Sequence, residues 1–246
     1  MLHKTYSVKL IYKTCTFNMI MQTSYAHGDG TERKTLDKIE YYPEPQEIID
    51  KLNSRQGWEY QDEKTAKFYQ DRDKALAALL YLGALRASEA LRIKKNQFIN
   101  KGDHILIRAI KLSKCRVEGR PRRKEYREAQ LPLTGPREPL SRMIMNYVQQ
   151  LDADARLFPF SLEKTLMKTG KDGKPVKPQT IGTKRMWQIV HALLPEFTEH
   201  WLRAFGEDYL YDQWEHDILA VSDYVKVDPR TLQEYLRKRH EKYNVV

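Results

Sequence analysis

The chain reads as an α+β protein, mainly helical, with one small antiparallel β-hairpin. Three observations give that class. Apolar residues recur at helical spacing through most segments after residue 46. Two segments, 104–110 and 126–133, alternate with period two instead. With 246 residues, 41% of them apolar and 31% charged, the chain can bury a sizeable core and remain hydrophilic outside.

The elements follow in chain order. Residues 1–40 are expected to form an N-terminal arm or extension, with a weak strand signal at Val8, Leu10 and Tyr12 and a turn at His27-Gly28-Asp29-Gly30. Tyr42-Pro43-Glu44-Pro45 opens a second region, 41–246. Ile48, Ile49 and Leu52 predict a helix over 47–54. A longer helix runs from about Lys64 to Leu82, burying Ala75, Leu76, Leu79, Leu80 and Leu82, and Gly83 can end it. A short helix follows, with Arg86 at its start. In the first strand, Ile105, Ile107 and Ala109 alternate against Leu106 and Arg108. Its partner is 126–133. Further helices are predicted at 139–151, 179–194, 198–211, 217–225 and 229–242, the last capped by Asp228 with Pro229 in its first turn. Gly170–Pro175 reads as a turn or loop.

Charge narrows the functional class. The net charge is +10, which favours a polyanionic partner, most often nucleic acid. Eight Lys/Arg crowd the stretch 111–127 against Glu118 and Glu125. Lys111, Lys114, Arg116, Arg120, Arg122, Arg123, Lys124 and Arg127 would thus make a basic hairpin tip facing DNA phosphates. Cys15 and Cys115 are the only cysteines, too few for a disulfide framework or a Cys-rich zinc site. Lys4, Lys9 and Lys13 break up any signal-peptide core, and no run approaches the roughly 18 apolar residues of a membrane span. The expected setting is the cytoplasm, or the nucleus where the host is eukaryotic.

Four groups could carry chemistry. Arg86 follows a strongly apolar helix and needs an acidic or phosphate partner; Glu89, three residues on, can brace it. His200 and Arg203 lie one turn apart on one helix face. Tyr235 shares a face with Leu232 and Leu236. Arginine binds phosphate oxygens bidentately, histidine moves protons near neutrality, and tyrosine can act as a covalent nucleophile. Each alone has a structural explanation.

In combination they resemble a known family. Leu82-Gly83-Ala84-Leu85-Arg86-Ala87-Ser88-Glu89-Ala90-Leu91 is similar to the TGLRxSEL box of tyrosine recombinases, the phage-integrase family. His200-x-x-Arg203 resembles the second box, and Tyr235 follows at the separation common in bacterial members. The resemblance runs from about Tyr41 to Tyr243, so 41–246 is expected to be a tyrosine-recombinase catalytic domain. Three departures stand out: Lys226 where a His or Trp is usual, Ala-Phe-Gly-Glu after Arg203, and about 40 residues where a helical core-binding domain usually precedes the catalytic part.

The resemblance implies site-specific cleavage and rejoining of double-stranded DNA through a 3′-phosphotyrosine, as in integration or excision of a mobile element. Tyr235 would be the nucleophile, Arg86 and Arg203 the phosphate ligands, and His200 a proton acceptor or phosphate ligand. Lys226 would be a further donor, and Glu89 would orient Arg86. The hairpin lysine of the family is matched best by Lys111, with Lys114 second. No cofactor or metal is implied, and the working form would be a homo-tetramer on DNA. The alternatives are a DNA-binding relic without activity, and a type IB topoisomerase or telomere resolvase sharing the same chemistry.

Overall fold

The structure is a computed structural model that describes residues 42–55, 63–112, 126–159, 180–233 and 236. Its helices are α1 (Pro45–Ser54), α2 (Glu63–Leu82), α3 (Ala87–Ala90), α4 (Glu138–Gln149), α5 (Thr183–Leu193), α6 (Glu199–Gln213) and α7 (Ile218–Val225). Residues 229–233 and 236 are helical as well. Strands β1 (Phe98–Asn100), β2 (His104–Lys111) and β3 (Tyr126–Pro132) form one antiparallel sheet in that order.

Helix α2 is the axis of the fold. Its second half, Ala75 to Leu82, is built of strong helix formers and is apolar all round, so it can only be interior. Every residue of that run is buried, with α4, α5 and α6 packed around it. Each neighbour presents one apolar stripe: Leu140, Ile144, Tyr147 and Val148 from α4, and Met186, Ile189, Val190 and Leu193 from α5. A second, smaller apolar cluster gathers Leu210, Val221, Val225, Leu232 and Leu236 around Ala84. Asp217 starts α7 by accepting hydrogen bonds from the N–H groups of Leu219 and Ala220, both at 2.9 Å. Asp228 caps the next helical segment, its Oδ1 3.0 Å from the N–H of Arg230.

The expected hairpin is present as β2 and β3, paired from His104↔Pro132 to Lys111↔Tyr126. Two things differ from the sequence expectation. β1 joins the other edge of β2; three residues are too few to show alternation. The alternation of β2 also breaks: Ile105, Ile107 and Ile110 are buried, while Ala109 is exposed. A bulge between Ile107 and Ile110 is the cause, with Ala109 in the left-handed region at φ 54°. The arm 1–40, the tip 113–125, the Gly170–Pro175 loop and residues 237–246 lie outside the described residues.

Candidate active site

The site grows from the C-terminal end of α2. A helix end leaves carbonyls without intrahelical partners. Here the chain closes with a 6→1 bond from Leu85 N–H to Leu80 O and a 5→2 bond from Ala84 N–H to Tyr81 O. The left-handed residue of this turn is Ala84, at φ 45°, rather than Gly83. Two buried arginines take up carbonyls at and just beyond the end. Arg137 Nη2 donates to Leu82 O at 3.0 Å, its guanidinium lying 4.2 Å from the Tyr209 ring centroid. Arg127 Nη2 donates to Gly83 O at 3.0 Å and Ala84 O at 2.8 Å.

Arg86 and Glu89 follow immediately. Arg86 is the N-cap of α3, and Glu89 reaches back so that Oε2 accepts from the Arg86 N–H at 3.1 Å. Glu89 Oε1 accepts from Arg86 Nη1 at 3.0 Å, and Oε2 lies 3.3 Å from Arg127 Nη2. The carboxylate is fully buried. Burial alone would raise its pKa; Arg127, then Arg86 and its N–H, and then Arg203 overcome that and hold it below the usual carboxylate range. Glu89 therefore stays ionised at neutral pH.

Arg203 reaches this cluster from α6. It pairs with Glu207 one turn on, at 2.7 Å. Gly206 makes that placement possible: a Cβ there would sit 2.1 Å from the Tyr81 carbonyl oxygen, so only glycine lets α6 lie this close to the end of α2. Two guanidiniums thus contact one buried carboxylate, a third acts on it through its charge, and Glu207 is the second acid. Exposure sorts them. The side chains of Arg86 and Arg203 keep 20% and 10% of their surface, whereas Arg127 keeps 1%.

Arg127 is the clear correction to the sequence reading. Charge alone groups it with the DNA-facing basic residues, yet its side chain is interior. The phase of β3 carried the signal: Arg127 alternates with Ala129 and Leu131, both fully buried, so it had to point inward. The other basic tip residues, Lys114, Arg116, Arg120, Arg122, Arg123 and Lys124, lie outside the described residues.

Lys111 ends β2 and is exposed, opposite Tyr126. The bulge decides this, because undisturbed alternation would point Lys111 inward with Ile105 and Ile107. Gln97 holds the bulge: its Nε2 donates to Arg108 O at 2.7 Å and Ala109 O at 2.9 Å. The sequence gives no local sign of that contact.

His200 is the second residue of α6 and half-buried. Lys226 is the left-handed C-cap of α7, with its Nζ ion-paired to Asp223. Tyr235 lies outside the described residues. Its sequence neighbours Leu232 and Leu236 are buried in the cluster that contains Ala84, two residues before Arg86. Of the other tyrosines, Tyr224 is a strut: its hydroxyl accepts from the Gln130 N–H at 2.6 Å and ties α7 to β3. Burial pushes the Tyr224 phenol above its ordinary range, which makes it a poor nucleophile.

The structure thus brings Arg86, Glu89 and Arg203 into one electrostatic cluster, and adds Arg127 and Glu207 to it. Among the described residues, no group of three or more His, Cys, Asp or Glu could hold a metal ion. No described helix is long and apolar enough to cross a membrane.

No family model matches the chain, and no curated protein matches it by sequence. Solved structures do. The XerH site-specific recombinase in a post-cleavage complex with a palindromic difH substrate matches 81% of this chain and 49% of its own, at 15% identity and a TM-score of 0.53. The pre-cleavage complex of XerH with difH matches 82% of this chain and 51% of its own, at 15% identity and a TM-score of 0.51. An integrase from mycobacterium phage Brujita is a looser likeness, at 14% identity and a TM-score of 0.41 over 83% of this chain and 58% of that one. The chain spans about half the length of the XerH chains. The mainly helical α+β architecture with a three-stranded antiparallel sheet, and the likeness to tyrosine recombinases, hold at the level of the fold.

Proposed function

We propose that the chain cleaves and rejoins DNA strands through a covalent tyrosine intermediate, as a site-specific recombinase of the tyrosine type. The observation that carries this reading is the cluster around Glu89. Arginines from distant parts of the sequence gather about one carboxylate, Arg86 and Arg127 in contact with it and Arg203 acting on it from its pair with Glu207, three guanidiniums to two acids, leaving a positive surplus that suits a phosphodiester. Supporting it, the solved structures with this fold include recombinase complexes with DNA, and the net charge is +10.

In this reading Arg86 and Arg203 hold the non-bridging oxygens and stabilise charge growing on phosphorus. The Tyr235 oxygen attacks, and the bond to the 5′ oxygen breaks. His200 accepts the phenolic proton, while Lys111 or Lys114 protonates the leaving 5′ oxygen. One phosphodiester replaces another, so the bond energy is kept and a second 5′-hydroxyl can reverse the step. Lys226 contributes a donor once it leaves Asp223. Arg116, Arg120, Arg122, Arg123 and Lys124 supply salt-dependent affinity for the duplex. Several copies acting together, as a tetramer, would exchange strands between two duplexes during integration or excision of a mobile element.

The test is covalent capture on nicked duplexes with randomised sequence around the nick, read on a denaturing gel. The expected result is a protein–DNA adduct that disappears in Tyr235→Phe while DNA binding persists. An adduct surviving in Tyr235→Phe would overturn the nucleophile assignment. No adduct with any duplex, alongside normal DNA binding, would favour a DNA-binding relic. Relaxation of supercoils without strand exchange would favour a topoisomerase.

A further inference from the structure

We propose that Arg127 is a positioning residue for this cluster: it locks Glu89, keeps Arg86 available to phosphate, and ties the hairpin strands to the first arginine box. The proposal rests on the reading of the cluster as a phosphate site.

The geometry is specific. One nitrogen, Arg127 Nη2, joins the end of α2 through Gly83 O and Ala84 O, and the start of α3 through Glu89 Oε2. Those two ends bracket Arg86. The backbone of Arg127 pairs with Ile110, the residue before Lys111. A single residue therefore links the elements that carry Arg86 and Lys111, the first through its side chain and the second through its backbone.

The electrostatics give it a further task. With Arg86 as its sole close partner, the Glu89 carboxylate would largely neutralise that guanidinium. Sharing Glu89 between Arg86 and Arg127 leaves Arg86 with net charge to offer a phosphate. The arrangement is costly as a stability device. Arg127 Nε and Nη1 are buried and find no hydrogen-bond partner among the described residues, and burial together with Arg203 works against its charge. An apolar residue in phase with Ala129 and Leu131 would pack there at lower cost.

The experiment uses the full chain with Arg127→Met and Arg127→Lys. The Glu89 side-chain carboxyl is followed by 13C NMR against pH and assigned by its loss in Glu89→Gln. The charges facing Glu89 are Arg86 on the α3 cap, Arg127 on β3 and Arg203 on α6, with Glu207 behind Arg203. In the wild type Glu89 should titrate below the usual carboxylate range, and Arg127→Met should move it upward. Adduct formation on the nicked duplexes should fall about 10–100-fold, the scale at which outer partners act on the groups they orient, with duplex affinity nearly unchanged. The rate should also gain an acid limb absent from the wild type.

Arg127→Lys keeps the charge but not the fork, so it should restore the Glu89 titration and only part of the rate. It serves as the second variant if Arg127→Met does not fold. In a Glu89→Gln background, Arg127→Met should cost little more. Wild-type rate and Glu89 titration in a folded Arg127→Met protein would overturn the proposal, as would fully additive losses in the double variant. If the Glu89 shift occurs but the wild type forms no adduct, the recombinase reading fails and the hold of Arg127 on Glu89 stands.

Discussion

The two apolar clusters do different work. The large one is threaded by α2 and closed by long side chains from α4, α5 and α6. The small one is mostly valine and leucine gathered at Ala84. Arg86, Glu89 and Arg203 are fixed at the junction of α2 and α6, on the large cluster. The segment flanking position 235 rests on the small one. The groups proposed to hold phosphate thus sit on the larger core, and the segment proposed to deliver the nucleophile rests on a thinner contact. Holding an anion needs fixed geometry, whereas delivering a nucleophile tolerates a separable element.

The most damaging way to break this division is at Gly206. A Gly206→Ala methyl would meet the Tyr81 carbonyl and force α6 away from α2. A loss of about 3 kcal/mol or more is expected, at the upper end of overpacking costs, measured by urea unfolding. A loss under about 1 kcal/mol would mean that the close approach is not needed.

Next in size is Glu89→Gln, at roughly 3 kcal/mol near neutral pH, because it strips the shared carboxylate from two guanidiniums. The sign is fixed by the depressed pKa of Glu89. Its contribution is fully present above the ordinary carboxylate value and drains away as pH falls through the depressed one. The stability gap between wild type and variant should therefore narrow on acidification. A gap that is flat with pH would remove Glu89 as the titrating group.

The comparison is sharpened by truncating one leucine in each cluster. Leu79→Ala should cost about 2.5 kcal/mol, in the lower half of the range for buried leucines, and lower protection from hydrogen exchange everywhere. Leu232→Ala should cost about 2 kcal/mol, with the loss confined to 210–236 and adduct formation reduced more than DNA binding. Equal, global loss from both would merge the two clusters into one cooperative unit. Ala84→Gly should be nearly silent in calorimetry. Relief of the left-handed conformation, about 1 kcal/mol, offsets loss of one buried methyl, about 0.8 kcal/mol.

Much of this was legible in the sequence, for reasons that differ by element. The helices were, because their stripes are long enough to establish a period: Leu140, Ile144 and Val148 point one way whatever the neighbours do. Arg86 and Glu89 were, because their coupling is local. Arg203 and Glu207 pair over one turn, but α6 closing on α2 depends on a glycine contact across the fold. Arg127 was misread because counting charge in a segment ignores the alternation that sends one of those charges inside. β1 and the bulge in β2 were invisible, since both are settled by partners: Ile107 for Phe98, and Gln97 for Ala109.

That bulge makes β2 a strand of two parities. Up to Ile107, odd positions face the core; from Ile110, even positions do. Lys111 is presented outward only because the count changes between them. Deleting one residue at Arg108 or Ala109 would restore a single parity without touching the lysine itself. Deletion would leave Ile110 buried and Lys111 outward; flattening the bulge with every residue kept would instead turn the lysine inward and press Ile110 into water. The position of one glutamine, Gln97, thus selects which chemistry the far end of the strand displays.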